Sequence, residues 1–206
     1  MTDKNIVSQG DITKEAFQEA VNQKRRNGLS FILAVYRTLD EFIEKEKEGS
    51  GKVLACEKGC SLCCYQLVTC TEMEIDEIAK FIKAMHKLRR RPLERRLKKF
   101  AAKWRKYYQR NESVPSKDPL KLHQDWRGEA CPFLNEGGRF CDVYSVRIID
   151  CRTTSSLISC SEGGEGTRFL FQSETWANNL IMDEQKKRVG RMHVTPIHSW
   201  LLAKKF

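Results

Sequence analysis

The run Cys56-Glu-Lys-Gly-Cys60-Ser-Leu-Cys63-Cys64 constrains this chain more than any other feature. Four thiols in so short a stretch call for a disulfide framework, a redox role or a bound metal. Cys70, Cys131, Cys141, Cys151 and Cys160 bring the total to nine cysteines in 206 residues. The compartment separates the accounts. Residues 1–11 contain acids and polar groups and no apolar core of signal-peptide length, and the longest apolar run, Phe31-Ile-Leu-Ala-Val-Tyr36, cannot cross a bilayer. The expectation is a soluble cytoplasmic protein without membrane association, in which thiols stay reduced. Metal binding then leads over disulfides.

Two cysteines separated by two or three residues can place both sulfurs on one ion or cluster, and thiolates are strong ligands for zinc and for iron–sulfur clusters. Cys56, Cys60, Cys63 and Cys64 have that spacing, and Cys131, Cys141 and Cys151 recur every ten residues. Neither group contains a histidine, which disfavours mixed Cys/His zinc fingers. Neighbouring cysteines seldom both reach one metal, and seven thiols exceed what one tetrahedral ion can use. The set implies a cluster with spare thiols, or two metals. Were the first run helical, its four sulfurs would share a face, although Gly59 weakens that picture.

The rest of the sequence predicts a mainly α, single helical domain around a cysteine-ligated metal centre, with little β structure. Residues 1–51 form an N-terminal helical arm, 52–160 the cysteine region and 161–206 a C-terminal helical segment of the same domain. Apolar residues at three- and four-residue steps predict helix from about Thr13 to Lys47, broken at Asn27-Gly28 and ended by Gly49-Ser50-Gly51. Thr71-Glu-Met-Glu74 reads as a capping box opening a helix through Ile75, Ile78, Ile82 and Met85. Arg91-Pro92 is expected to interrupt it, with a second helix from about Leu93 to Asn111. A loop is expected from Glu112 to Gly128, a short helix from Val143 to Asp150, and a short strand or connector at Arg168–Phe171. A longer helix should run from Ser173 or Glu174 to Lys187, and Thr195-Pro196 should start the last one.

Apolar residues make up 40% and charged residues 31% of the chain, so the core should be thin and a metal could supply part of the stability. The net charge of +10 is not spread evenly. Residues 87–110 hold twelve Lys or Arg and one acid, Glu94, leaving 25 basic and 26 acidic residues elsewhere. With Trp104, Tyr107 and Tyr108, the stretch Lys87–Arg110 could bind RNA, DNA or an acidic protein. Because its cations surround an apolar stripe at helical spacing, a solvated face with core aromatics is the favoured reading. His193 and His198 are five residues apart and read as ordinary surface or core residues, while His86 and His123 have no partner in sequence.

The pattern Cys56-x3-Cys60-x2-Cys63-Cys64, followed by Val68 and Thr71-Glu72, then Cys131-Pro-Phe-Leu134 and Cys141-Asp-Val-Tyr144-x2-Arg147-x3-Cys151-Arg152, resembles the YkgJ-type cysteine-cluster proteins, also called the CxxCxxCC family. The resemblance runs from Cys56 to Cys160. It implies chelation of zinc or iron, including as an iron–sulfur cluster, by Cys56, Cys60, Cys63, Cys64, Cys131, Cys141 and Cys151. Cys70 and Cys160 fall outside the motif. Tyr144 and Arg147 are candidates for groups behind the ligands, the arginine offsetting thiolate charge. Many members have proline where this chain has Ile148, which implies a different turn before Cys151.

Three other readings stand beside this one. Cys56-x3-Cys60-x2-Cys63 also has the spacing of radical SAM enzymes, and Gly163-Gly164-Glu165 is similar to an element of that class. The aromatic residue usual before the third cysteine is replaced by Leu62, however, and two helices follow instead of alternating strands and helices. Flagellin lysine N-methylases contain a similar cluster within a longer chain, which leaves an iron-dependent or methylase-like enzyme modifying a protein or peptide as an alternative. The last is a nucleic-acid-binding module stapled by zinc, using the basic helix.

Overall fold

The computed structural model describes residues 12–56, 59–110, 122, 124–160, 168–191 and 194–204. Among them are seven α-helices and one two-stranded sheet, so the chain is mainly α. Helix α1 (Lys14–Arg26) starts at Thr13, whose hydroxyl accepts from the Ala16 N–H, and stops at Asn27-Gly28, where Gly28 takes φ 91°. Helix α2 (Phe31–Ser50) is capped by Ser30 and closed by Gly51 in the left-handed region, as the glycine pattern predicts.

Strand β1 (Thr69–Thr71) leads directly into α3 (Glu72–Ala84) through the predicted capping box, in which Thr71 and Glu74 satisfy each other's backbone N–H. The break after α3 lies at Met85-His86 rather than at Pro92, and α4 (Lys87–Arg110) runs straight through the proline. His86 provides the new start: its Nδ1 accepts from the Leu88 N–H, and its carbonyl accepts from Arg89 and Arg90. Pro92 then forfeits a single bond, to the carbonyl of exposed Leu88 in the second turn, where water can replace it.

The predicted helix from Val143 to Asp150 divides in two. A 3-10 turn spans Tyr144–Val146, and α5 (Ile149–Thr153) follows extended Ile148. Helix α6 (Gln172–Val189) starts just ahead of the predicted Ser173 or Glu174, where Glu46 of α2 accepts from the Gln172 and Ser173 N–H groups and caps it from outside the local sequence, and it runs two residues past Lys187 to Gly190 in the left-handed region. Arg168 forms an isolated bridge with Ser156. Thr195 and Pro196 do not open the last helix. They belong to β2 (Val194–Pro196), antiparallel to β1 with Cys70 opposite Thr195, and α7 (Ile197–Ala203) begins one residue later. Much of the predicted loop 112–128, the Gly163-Gly164-Glu165 stretch, His123 and His193 lie outside the described residues.

The core is divided into three apolar clusters. The first joins α1, α2 and α6 around Phe17, Val35, Leu39, Phe42 and Ile181. The second joins α3, α4 and α7 to the segment 131–151 through Ile75, Ile78, Leu97, Phe133 and Ile148. The third is aromatic, with Trp104 and Trp126 beside Leu67. His198 is a core residue there, 2% exposed and ringed by Phe100, Trp104 and Trp126. No helix among the described residues is long and apolar enough to cross a membrane.

Candidate metal centre

The two cysteine motifs meet through their backbones. Cys60 follows Gly59, whose φ of 99° lies in the region glycine favours and outside the α-helical one, so an α-helix cannot pass through this position. Cys63 and Cys64 then sit in a 3-10 turn, Leu62–Tyr65. The Cys131 N–H donates to the Cys64 carbonyl at 2.6 Å, and the Gly128 N–H to the Tyr65 carbonyl at 3.1 Å. Ser61 adds a hydroxyl bond to the Gly138 carbonyl at 2.6 Å.

A tight hairpin brings Cys141 back beside Cys131. Leu134 and Cys141 form an antiparallel bridge, the Asn135 N–H donates to the Phe140 carbonyl, and the Asn135 side chain accepts from the Arg139 and Phe140 N–H groups. Arg96 of α4 fixes the outside of the hairpin, donating to the Pro132 carbonyl and pairing with Asp142.

Cys151 comes from α5, and the turn before it is tied down by Arg152. That side chain donates to the carbonyls of Arg147 and Ser145, pairs with Asp40 of α2 and lies 4.3 Å from the Tyr36 ring centroid. The expected departure at Ile148 is not seen in the backbone. Ile148 has φ −64° and Arg147 has ψ 146°, values a proline at 148 would itself impose, so the buried isoleucine keeps the turn without the ring. Asp150 accepts from the Thr69 N–H and hydroxyl, and Glu74 accepts from Ile149 N–H and Tyr36 Oη as well as from Thr71.

Cys60, Cys63, Cys64, Cys131, Cys141 and Cys151 thus line one cavity of about 290 Å³, shared with Tyr144, Arg147 and an apolar wall that includes Phe133 and Ile197. Cys56 faces a neighbouring cavity of about 550 Å³ that also touches Cys60 and Cys63. Its Sγ accepts from the Ser156 N–H at 3.2 Å, and the Ala55 N–H donates to the Ser156 carbonyl. Cys160 lines this second cavity, a placement the motif did not give, because the residues between Cys151 and Cys160 carry no spacing signal. Cys70, in β1, lines neither cavity: it is 1% exposed, packs in the same apolar cluster as Cys131, Cys141 and Cys151, and its carbonyl accepts from Trp200 Nε1. All nine cysteines are unbridged. Among the described residues, no three Cys, His, Asp or Glu side chains converge on a single ion-sized point.

Burial and close packing favour the protonated form of four cavity thiols, Cys63, Cys131, Cys141 and Cys151. Burial pushes Cys131 up to about 12, with Cys141 and Cys63 adding to the shift, and burial raises Cys151 well above the ordinary thiol value. The hydrogen bond with Cys64, and then burial, raise Cys63; burial raises Cys141. Arg147 opposes the rise at Cys63 and Cys141, and its guanidinium stacks 4.0 Å from the Tyr144 ring centroid. Its charge therefore faces the cavity from beside exposed Tyr144.

The donor set fits a thiophilic metal: six sulfurs around one cavity, no histidine, and two arginines, Arg139 and Arg147, to offset thiolate charge. No curated protein and no solved structure matches the chain. A family profile described as "CxxCxxCC: Putative zinc- or iron-chelating domain" matches residues 55–178, more than half the chain and every cysteine that lines the two cavities. The chain belongs to the CxxCxxCC family of zinc- or iron-chelating domains.

Proposed function

We propose that this chain holds a thiolate-ligated iron–sulfur cluster in the cavity walled by Cys60, Cys63, Cys64, Cys131, Cys141 and Cys151, with Cys56 and Cys160 contributing thiols from the adjoining cavity. The observation that carries this reading is the meeting of six cysteines from three separate stretches around one space of about 290 Å³. A single zinc ion is enclosed by four sulfurs at about 2.3 Å and leaves the other thiols without a role. A cluster uses more of the space and tolerates spare donors. When bound, it would supply a centre able to accept and release one electron. The chain's own residues bind it, Arg147 offsets its negative charge, and the wall of Phe133, Ile148 and Ile197 limits access of water.

Anaerobic purification followed by an ultraviolet–visible spectrum and assay of iron and acid-labile sulfide tests this directly. The expected protein is brown, contains both iron and sulfide, and is bleached by Cys63→Ser or Cys151→Ser but not by Cys70→Ala. A colourless protein containing zinc alone, or one that takes up no iron on reconstitution, overturns the cluster.

A further inference from the structure

Helix α4 carries a second feature, independent of the thiol cavity. Leu93, Leu97 and Trp104 are buried along one side. The opposite side, an arc of roughly 140° on a 3.6-residue helix, presents Lys87, Arg91, Arg95, Lys98, Lys99, Arg105, Lys106 and Arg110. All eight are exposed. The ion pairs of this helix use other residues, Arg90 with Glu94, Arg96 with Asp142 and Lys103 with Glu129, and among the described residues none of the eight has an acidic partner. The arc contains no acid at all.

This arrangement works against the helix that bears it. Lys87 and Arg91, Arg91 and Arg95, Arg95 and Lys99, and Lys106 and Arg110 are like charges one turn apart, each pair destabilising. The first turn has no acidic residue, so cations also crowd the positive end of the helix dipole. A polyanion laid along the arc would relieve both.

We infer that this arc is a docking surface for the phosphate backbone of a nucleic-acid duplex. Its 24 residues extend about 36 Å, close to one turn of a duplex, so one rigid element can follow phosphates along that length. A membrane surface is a poorer match, because a helix lying on lipid turns its apolar side outward and α4 buries that side in the core. An acidic protein is also a poorer match: beyond Leu88 at its start, the arc has no large apolar side chain to seed the dry centre of a protein interface. Gln109 is the one side-chain amide on the arc, so binding reads charge and shape rather than base sequence.

The test is fluorescence anisotropy of the full-length chain with a labelled 20-base-pair DNA duplex and the matching RNA duplex, across a salt series. Anionic lipid vesicles and polyglutamate serve as comparators. The partner is Arg91→Gln/Arg95→Gln/Lys98→Gln/Lys99→Gln, which removes charge from exposed positions while keeping good helix formers; circular dichroism confirms that it folds. The expected result is duplex binding whose log–log salt slope becomes shallower by about 3–4 in the variant, with at least tenfold weaker affinity at low salt. Tighter binding to the DNA or to the RNA duplex identifies the source of the backbone. Equal binding by variant and parent, no duplex binding at low salt, or preference for vesicles or polyglutamate overturns the inference. None of these outcomes depends on the metal content of the protein.

Discussion

Around Phe17, helices α1, α2 and α6 are held by apolar burial, with Phe17, Phe42 and Trp176 packed edge to face. Around the thiol cavity, the chain is mostly loop, 3-10 turn and one short helix, held by backbone clips and by single polar side chains such as Arg152. The two regions touch at Glu74, which accepts from Tyr36 of α2 and from Ile149 at the start of α5, and at Arg152, which pairs with Asp40 of α2. The frame therefore needs nothing from the cysteines, whereas the wall borrows its position from the frame and leaves its final rigidity to whatever the sulfurs bind.

The contrast is sharpest in the frame itself. Phe17→Ala, at a fully buried site, should cost about 3–5 kcal/mol, and urea unfolding should show the same loss with or without metal. Removing metal with a chelator should instead cost about 3 kcal/mol at metal concentrations near a hundred times Kd. Hydrogen exchange should then accelerate over residues 59–66 and 128–160 while α1 and α2 stay protected; equal acceleration everywhere would erase the distinction between the regions.

Acidity should separate the loaded and metal-free proteins in opposite directions. Buried Cys131 and Cys151 have raised thiol pKa values, so the folded metal-free state holds protons more tightly than the unfolded chain. Their contribution is fully present below about pH 8.5 and is lost as pH rises, by up to about 1.4 kcal/mol per pH unit for each such thiol. Metal binding must displace the same protons, so its affinity should increase with pH and proton release should appear in calorimetry in different buffers. The smallest effect belongs to the junction: Thr71→Ala removes the cap of α3 at a cost of about 1 kcal/mol. It should lower Tm by about 2–4 °C.

What the sequence made legible was local. The break at Asn27-Gly28, the closing Gly51 and the Thr71–Glu74 box each depend on residues within a turn of one another, and each is where the pattern puts it. Pro92 misled because its cost depends on where the helix starts, and His86 starts it early enough for the lost bond to fall in an exposed turn. Thr195-Pro196 has the chemistry of a helix start, but pairing with β1, far away in the chain, claims it for a strand. At the site, the motif pointed to seven cysteines that line two adjoining cavities, while Cys160 and the Arg152 anchor emerged only from the three-dimensional arrangement.

The bond from the Cys131 N–H to the Cys64 carbonyl also sets a schedule. A ribosome adding roughly 5–20 residues per second takes about 3–13 s to pass from Cys64 to Cys131. Throughout that interval the nascent chain displays Cys56, Cys60, Cys63 and Cys64 without the segment that completes the cavity. Capture of a wrong ion, or oxidation of adjacent thiols, has its opening then, and correct loading has to wait until synthesis has passed Cys151.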